Sequence, residues 1–293
     1  MTTVDSLITQ LRSHPMLGGR RPTLDQLNGA INGSVTTLTV TVSNPLIRPG
    51  TFIEIGYELM YVVAATLPSV TVIRGVEGTT AASQSDDAII TVQPRWTRQQ
   101  FLEAIQEEIW SWPPDLCAIA TVEVTFSADR PRVDLSGASG RTVRRLYRAE
   151  TQRPSTYENN RRVDLEFLTR QDTGDYPSGT MLQLAHGTRF IEDTVVRVTY
   201  GYEFDASALV STTNLLTGTG LTRGLLQALK AGVMWRLLLN SEAELTSAGA
   251  AAPPNAIQPT HRVQAAQAAR EDRDRLLAME VRRVYDEFGV TGA

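Results

Sequence analysis

Phe52-Ile53-Glu54-Ile55 and Leu59-Met60-Tyr61-Val62-Val63 are two short runs of aliphatic and aromatic residues, parted by Gly56, Tyr57 and Glu58. Runs of this length and composition predict strands. On the N-terminal side, Leu38, Val40 and Val42 alternate with threonines, the period of a half-buried strand. Asn44-Pro45 and Arg48-Pro49-Gly50 supply turns, and Val70 to Ile73 and Ala88 to Val92 read as two more strands. Five strands in roughly 60 residues predict a small barrel or sandwich with its own core, spanning 28–96. Before it, Val4, Leu7, Ile8 and Leu11 are spaced three and four apart and predict a short helix ended by His14-Pro15. That helix and a turn-rich linker make up 1–27.

Beyond the β domain the period changes to that of a helix. Thr97 and Gln100 have capping-box spacing, and Phe101, Leu102, Ile105, Ile109 and Trp112 repeat at three or four until Pro113-Pro114. This segment, 97–117, is predicted to be a bundle helix. Strand patterns return at Thr121–Phe126, Val143–Ala149, Val163–Phe167, Met181–Leu184 and Val195–Tyr202, which predicts an inserted antiparallel β domain over 118–205. From 206 to 293 the helical period resumes, with Leu221, Leu225, Leu229, Val233 and Leu237 on one face. Gly224, Ala228 and Gly232 stand four apart and predict a groove that admits another helix backbone. Thr260 is placed to cap a last helix of about 42 Å ending near Gly289. The predicted fold class is therefore α+β: a helical bundle with a small N-terminal β barrel or sandwich and an inserted antiparallel β domain.

The 293 residues suffice for about two domains. With 42% hydrophobic and 20% charged residues, neither wholesale disorder nor a coiled-coil rod is expected. A net charge of -4 argues against a chain whose main work is to neutralise phosphates over a large surface. Lys230 is the sole lysine among 28 Lys and Arg, a bias that points to a GC-rich genome. Cys117 has no second cysteine to pair with and is expected to be a small buried apolar residue. Neither a signal peptide nor a membrane span is expected, since the longest aliphatic run outside the strands is Leu237-Leu238-Leu239.

Two strings in the N-terminal β domain carry a resemblance. Ile53-Glu54-Ile55-Gly56-Tyr57-Glu58-Leu59-Met60-Tyr61-Val62 is followed by Val72-Ile73-Arg74-Gly75-Val76-Glu77-Gly78-Thr79-Thr80-Ala81-Ala82-Ser83. Together they resemble a small β module of tailed-bacteriophage neck, tail and baseplate proteins. The order of a helix at 97, a β insertion and two long helices resembles the head-to-tail adaptor, or connector, proteins of these phages. The resemblance implies a non-enzymatic virion protein: a ring of about twelve copies that joins portal to tail at the head-to-tail interface. Its other partners would be the tail terminator or further neck and tail proteins. Packaged DNA would pass through the lumen without sequence-specific binding, and the subunit would be made in the host cytoplasm. The alternatives are a baseplate or tail-fibre attachment subunit and, from another class, a carbohydrate-binding or glycan-cleaving tail protein. Clustered exposed tryptophans would favour the last, but Trp96, Trp110, Trp112 and Trp235 lie at or within predicted helices.

No catalytic, cofactor or metal site is expected. His14, His186 and His261 are far apart and none has a second ligand at metal-binding spacing. Gly137-Ala138-Ser139-Gly140 is one residue short of a nucleophile elbow. Arg74 to Thr80 lacks the Gly-Lys-Thr ending of a phosphate loop and reads as a turn that keeps Arg74 near Glu77. Glu54 and Glu58 are expected on a solvated strand face. The densest basic stretch holds Arg141, Arg144, Arg145, Arg148, Arg153, Arg161 and Arg162 without a local acidic balance, and is expected to meet an acidic protein partner rather than DNA. In the last helix, Glu271 and Arg275 stand i, i+4 and can pair. Leu277, Val281, Val284, Tyr285 and Phe288 form an apolar stripe on a helix end expected to overhang the bundle and dock on another chain. The candidate partner-binding residues are these five with Arg144, Arg145 and Arg148.

Overall fold

A computed structural model describes residues 2–17, 23–127, 131–135, 142–151, 162–185, 194–207, 209–217, 219–247 and 259–288, apart from the side chains of 241–247 and 259–261. The chain forms two compact units: one of residues 3–107 and 230–270, the other of 1–2, 108–229 and 271–293.

The first unit opens with α1 (Val4–Arg12), capped by the Thr3 hydroxyl, which accepts from the Ser6 amide at 3.2 Å. The strands β1 (Thr23–Gln26), β2 (Thr37–Thr39), β3 (Phe52–Ile55), β4 (Glu58–Thr66), β5 (Ser69–Ile73) and β6 (Ile89–Val92) follow. They make one antiparallel sheet in the order β1-β6-β3-β4-β5-β2. It curls until its edges meet: Leu27 and Val40 form a bridge just past β1 and β2, and the Thr41 amide donates to the Gln26 carbonyl at 2.9 Å. Leu38, Ile53, Ile55, Met60, Val62 and Ile90 fill the interior. β1 lies in the stretch expected to be turns. Its Asp25 is buried and accepts from the amides of Gln26, Val42 and Asn44, so this strand presents a polar pattern that alternation does not reveal.

The two strand glutamates expected in solvent are 2% and 1% exposed. β3 and the start of β4 are buried on both faces, so a side chain that turns away from the sheet interior still meets protein. Glu54 is ion-paired with Arg12 of α1 and accepts from the Arg98 amide, a free N–H at the first turn of α2 (Arg98–Trp110). Arg12 also donates to the Trp96 carbonyl, and Arg98 pairs with Asp5. The capping box of α2 forms as well: Gln100 N donates to Thr97 Oγ1 at 3.1 Å, and Thr97 N to Gln100 Oε1 at 2.9 Å.

Glu58 takes both arms of the Arg74 guanidinium and accepts from the amides of Gly75 and Ala82. Arg74 further donates to the carbonyls of Asn32, Val35 and Ala82. Its carboxylate partner is therefore Glu58, across the β4–β5 pair, and not Glu77. Gly75 adopts φ 64, and a Cβ there would sit 3.0 Å from the Thr79 carbonyl oxygen, so the loop closes over Glu58 only with glycine at that position.

The second unit holds β7 (Ala118–Phe126), β8 (Arg132–Asp134), β9 (Val143–Thr151), β10 (Leu165–Thr169), β11 (Thr180–Leu184) and β12 (Thr194–Tyr202). They form two three-stranded antiparallel sheets, β7-β12-β9 and β10-β11-β8. Phe126, Leu135, Leu182, Val196, Val198 and Tyr200 lie in the core these sheets share. At Gly201 on β12 an added Cβ would stand 2.8 Å from the Tyr147 ring and 2.9 Å from the Cys117 Cβ, so the two side chains pack directly on bare backbone.

The expected helical bundle does not form, and the fold is instead a mixed one in which antiparallel sheet predominates. Besides α1 and α2, the described residues contain two long helices, α3 (Arg223–Ser247) and α4 (Pro259–Phe288). Extended backbone pairing between elements is strand against strand. The reason lies in α4: of its described side chains only Ala266, Ala269, Leu277 and Val284 are buried. Two alanines and two larger residues among the described side chains of this helix make a seam too narrow for a bundle core.

Two stability measurements follow from the buried glutamates. Arg74→Met leaves Glu58 buried without its cation and is expected to cost about 3–5 kcal/mol in chemical denaturation. A loss below about 1 kcal/mol would place Glu58 in solvent. Burial pushes the Glu54 carboxyl above 4.5, against the pull of Arg12. Its proton is therefore held more tightly in the folded than in the unfolded chain. The stability it contributes is complete below about pH 4.5 and is lost as pH rises through the folded value. The stability of the wild type relative to Glu54→Gln should fall between acidic and neutral pH, and a flat or rising difference would contradict the assignment.

Candidate docking surface

In the second unit, α2 ends in Ile109-Trp110-Ser111-Trp112-Pro113-Pro114. The prolines stop the helix, and its last amides turn back, Ser111 N to the Glu108 carbonyl and Trp112 N to that of Ile109. Ile109 and Trp112 face the interior, where Trp112 meets Phe204 edge to face at 5.3 Å. Trp110, one residue off the apolar stripe, is 62% exposed.

Glu108 is fully buried at the centre of this region. It accepts from the Trp112 indole N–H at 3.0 Å and is ion-paired with Arg273 of α4 at 2.5 Å. The same guanidinium donates to Ser111 Oγ at 2.9 Å. A second junction forms further along α4, where the Thr222 hydroxyl donates to Glu280 at 2.9 Å. The Glu280 carboxylate fills the space beside Gly224, where any Cβ would collide with it. The gap at Gly224 thus receives a side chain and not a helix backbone; Ala228 and Gly232 are buried.

The α4 stripe does not overhang. Leu277 and Val284 are buried within the unit, and Val281 and Phe288 are half-buried. Phe288 lies 5.0 Å from the Tyr147 ring of β9. The neighbouring Tyr285 hydroxyl and then Asp115 raise the pKa of Arg145 on β9. The structure therefore brings together the two sets of candidate residues, the β9 arginines and the α4 end.

Those arginines are balanced, contrary to expectation. Arg144 pairs with Glu203, Arg145 with Asp115 and Arg148 with Glu150. Glu203 and Asp115 come from distant parts of the chain, so counting charges in a sequence window misses them, whereas Glu150 stands two residues from Arg148 on β9 itself. Arg141, Arg153 and Arg161 lie outside the described residues, as do His186, Gly289 and the loop holding Ser139. On α4, Arg275 pairs with Asp272 at 2.9 Å and not with Glu271.

Two concavities flank Pro113. An apolar groove of about 510 Å³ is lined by Pro113, Leu277, Ala278, Val281 and Tyr285, with Arg273 and Arg282 at its edge. A more polar cleft of about 530 Å³ is lined by Trp110, Trp112, Cys117, Arg144, Glu203 and Phe204. Burial pushes the Cys117 thiol above its ordinary pKa, which keeps it protonated and poorly nucleophilic. Among the described residues no three of His, Cys, Asp and Glu come together as metal ligands. The arrangement suits non-covalent contact: an apolar trough, a protruding indole and a rim of paired charges.

The residues missed from sequence are Glu108, Trp110 and Arg273. Trp110 carried a signal, since a large aromatic off the buried stripe of a helix has to face outward. Glu108 and Arg273 are 165 positions apart, and local pattern gives no hint of the pair.

Arg273→Met should destabilise the protein by about 3–5 kcal/mol by leaving Glu108 uncompensated, and adding Glu108→Gln should recover a large part of the loss. Equal stability of the wild type and Arg273→Met in urea melts would mean that the pair is not buried in solution.

No protein-family model matches this chain, and no curated protein matches it in sequence.

Proposed function

We propose that this chain is a structural subunit of a tailed-bacteriophage particle: a head-to-tail adaptor that forms a ring on the portal, extends the DNA channel and carries the tail. The observation that bears this reading is the pair of strings at 53–62 and 72–83, similar to the β module of phage neck, tail and baseplate proteins. In the fold these strings are one physical device, with Glu58 from the first gripping Arg74, Gly75 and Ala82 of the second. The buried carboxylates support a mechanical role. Glu54, Glu58 and Glu108 are each committed to an arginine that ties separate elements together. The reading rests on the motif and the order of elements, without a helical bundle.

The groove at Pro113 with exposed Trp110 is the surface assigned to portal or neighbouring subunit. A baseplate or tail-fibre position uses the same β module and is the second reading. A carbohydrate-binding role draws little from the tryptophans, since Trp96 and Trp112 are buried and only Trp110 is largely exposed.

Electron microscopy of the purified chain, alone and mixed with the portal protein of the same phage, tests the proposal. The chain alone is expected to be monomeric or heterogeneous and to form a ring on the portal. Binding to baseplate components without binding to portal would move the subunit to the other end of the tail, and binding to neither would sink the structural reading.

A further inference from the structure

In the second unit β9 and β10 are edges of different sheets. The chain between them is tied to β9 where Glu150 and Arg162 form a bridge and the Val163 amide donates to the Ala149 carbonyl at 2.9 Å. Past that point β10 is bonded to β11 along one edge from Leu165 to Thr169, and among the described residues no strand pairs with its other edge. A cavity of about 390 Å³ is lined from both strands, by Arg144, Arg145 and Arg148 of β9 and by Leu165 and Phe167 of β10, with Arg162 beside them.

The lining is cationic. It holds four guanidiniums, and Asp164 is the one carboxylate among its described residues. Glu203, Asp115 and Glu150, which pair with Arg144, Arg145 and Arg148, do not line it. The pairs of Arg144 and Arg145 are open to solvent at both ends, so they exchange one carboxylate for another at little cost. Arg162 is exposed and has no carboxylate at ion-pair distance among the described residues. The edge of β10 is regular, since it pairs with β11 residue for residue with neither bulge nor proline, and it offers evenly spaced backbone donors and acceptors. Glu166, on the opposite face from Leu165 and Phe167, does not line the cavity.

We propose that this cleft binds an extended acidic segment of a partner protein, which adds as a strand to the open edge of β10 and sets its carboxylates against the four arginines. Backbone bonds to β10 hold the segment, and the guanidiniums select its charge. A helix has its backbone groups bonded internally and offers none to such an edge. Nucleic acid meets the arginines but leaves the strand edge unused. The site is independent of the subunit's place in a particle.

The probe is a blocked seven-residue peptide of alternating glutamate and valine, titrated into the full chain by calorimetry. It should bind saturably at about one site per chain, more weakly as sodium chloride is raised, and a lysine–valine analogue should not bind. An analogue N-methylated at every amide should bind at least about tenfold more weakly, because it cannot donate to a strand edge. Arg162→Gln should weaken binding by about tenfold, the usual weight of a hydrogen bond to a charged group. Hydrogen exchange at the amides of Leu165–Thr169 should slow on binding. No saturable binding by the wild type overturns the site. Equal binding of the N-methylated analogue overturns strand addition, and tighter binding of single-stranded DNA of the same charge makes the cleft a nucleic-acid groove instead. If Arg162→Gln fails to fold, the peptide series and the exchange on the wild type still decide.

Discussion

The first unit is organised around one carboxylate taken out of water. Glu54 sits on a strand whose two faces are both covered, and it meets a guanidinium from α1 and a free amide at the start of α2. A charge in that position is tolerable only when both partners are present. The register of β3, the seating of α1 and the entry of α2 are consequently fixed together, and none can shift without stranding the others. Glu58 repeats the device one hairpin turn further on, with Arg74 and two loop amides, and so holds the 74–82 loop on the sheet. In the second unit Glu108 does the same for the end of α2 and α4. In these three places an arginine fastens one element to another.

Much of this was legible in the sequence at the level of elements and little at the level of pairs. β3 to β6 and all four helices follow from local period and from caps such as Thr97 with Gln100. β1 was hidden because Thr-Leu-Asp-Gln owes its burial to Asp25, a residue whose side chain substitutes for missing backbone partners. The solvated-face reading of Glu54 and Glu58 assumed a sheet wet on one side, which holds for many antiparallel sheets but fails where helices cover the outer face. The bundle was inferred from helix lengths, yet length says nothing about the width of a buried seam. In α4 the buried seam among the described side chains is Ala266, Ala269, Leu277 and Val284.

The candidate surface was half legible for the same reason. The stripe Leu277, Val281, Val284, Tyr285 and Phe288 is real as a pattern, but its partner is β9 of the same chain, reached through Tyr147 and Arg145. What remains outward is a trough beside Pro113 and the indole of Trp110, features made by the end of one helix and the side of another. A surface of that kind has no sequence signature, because its parts lie more than 150 positions apart.

The way the chain is divided between its units bears on synthesis. One unit draws on 3–107 and 230–270, the other on 108–229 and 271–293. Residues 3–107 contain a complete curled sheet and can close it as soon as they emerge from the ribosome. The sheets of 118–202 follow, but Glu108 waits for Arg273 and Gly224 for Glu280 until α4 has been made. At translation speeds of about 5–20 residues per second, the buried Glu108 spends on the order of ten seconds without its counter-charge. The second unit is thus the late-folding part of the molecule, and until α4 arrives its unfinished surfaces are open to chaperones or to a neighbouring nascent chain.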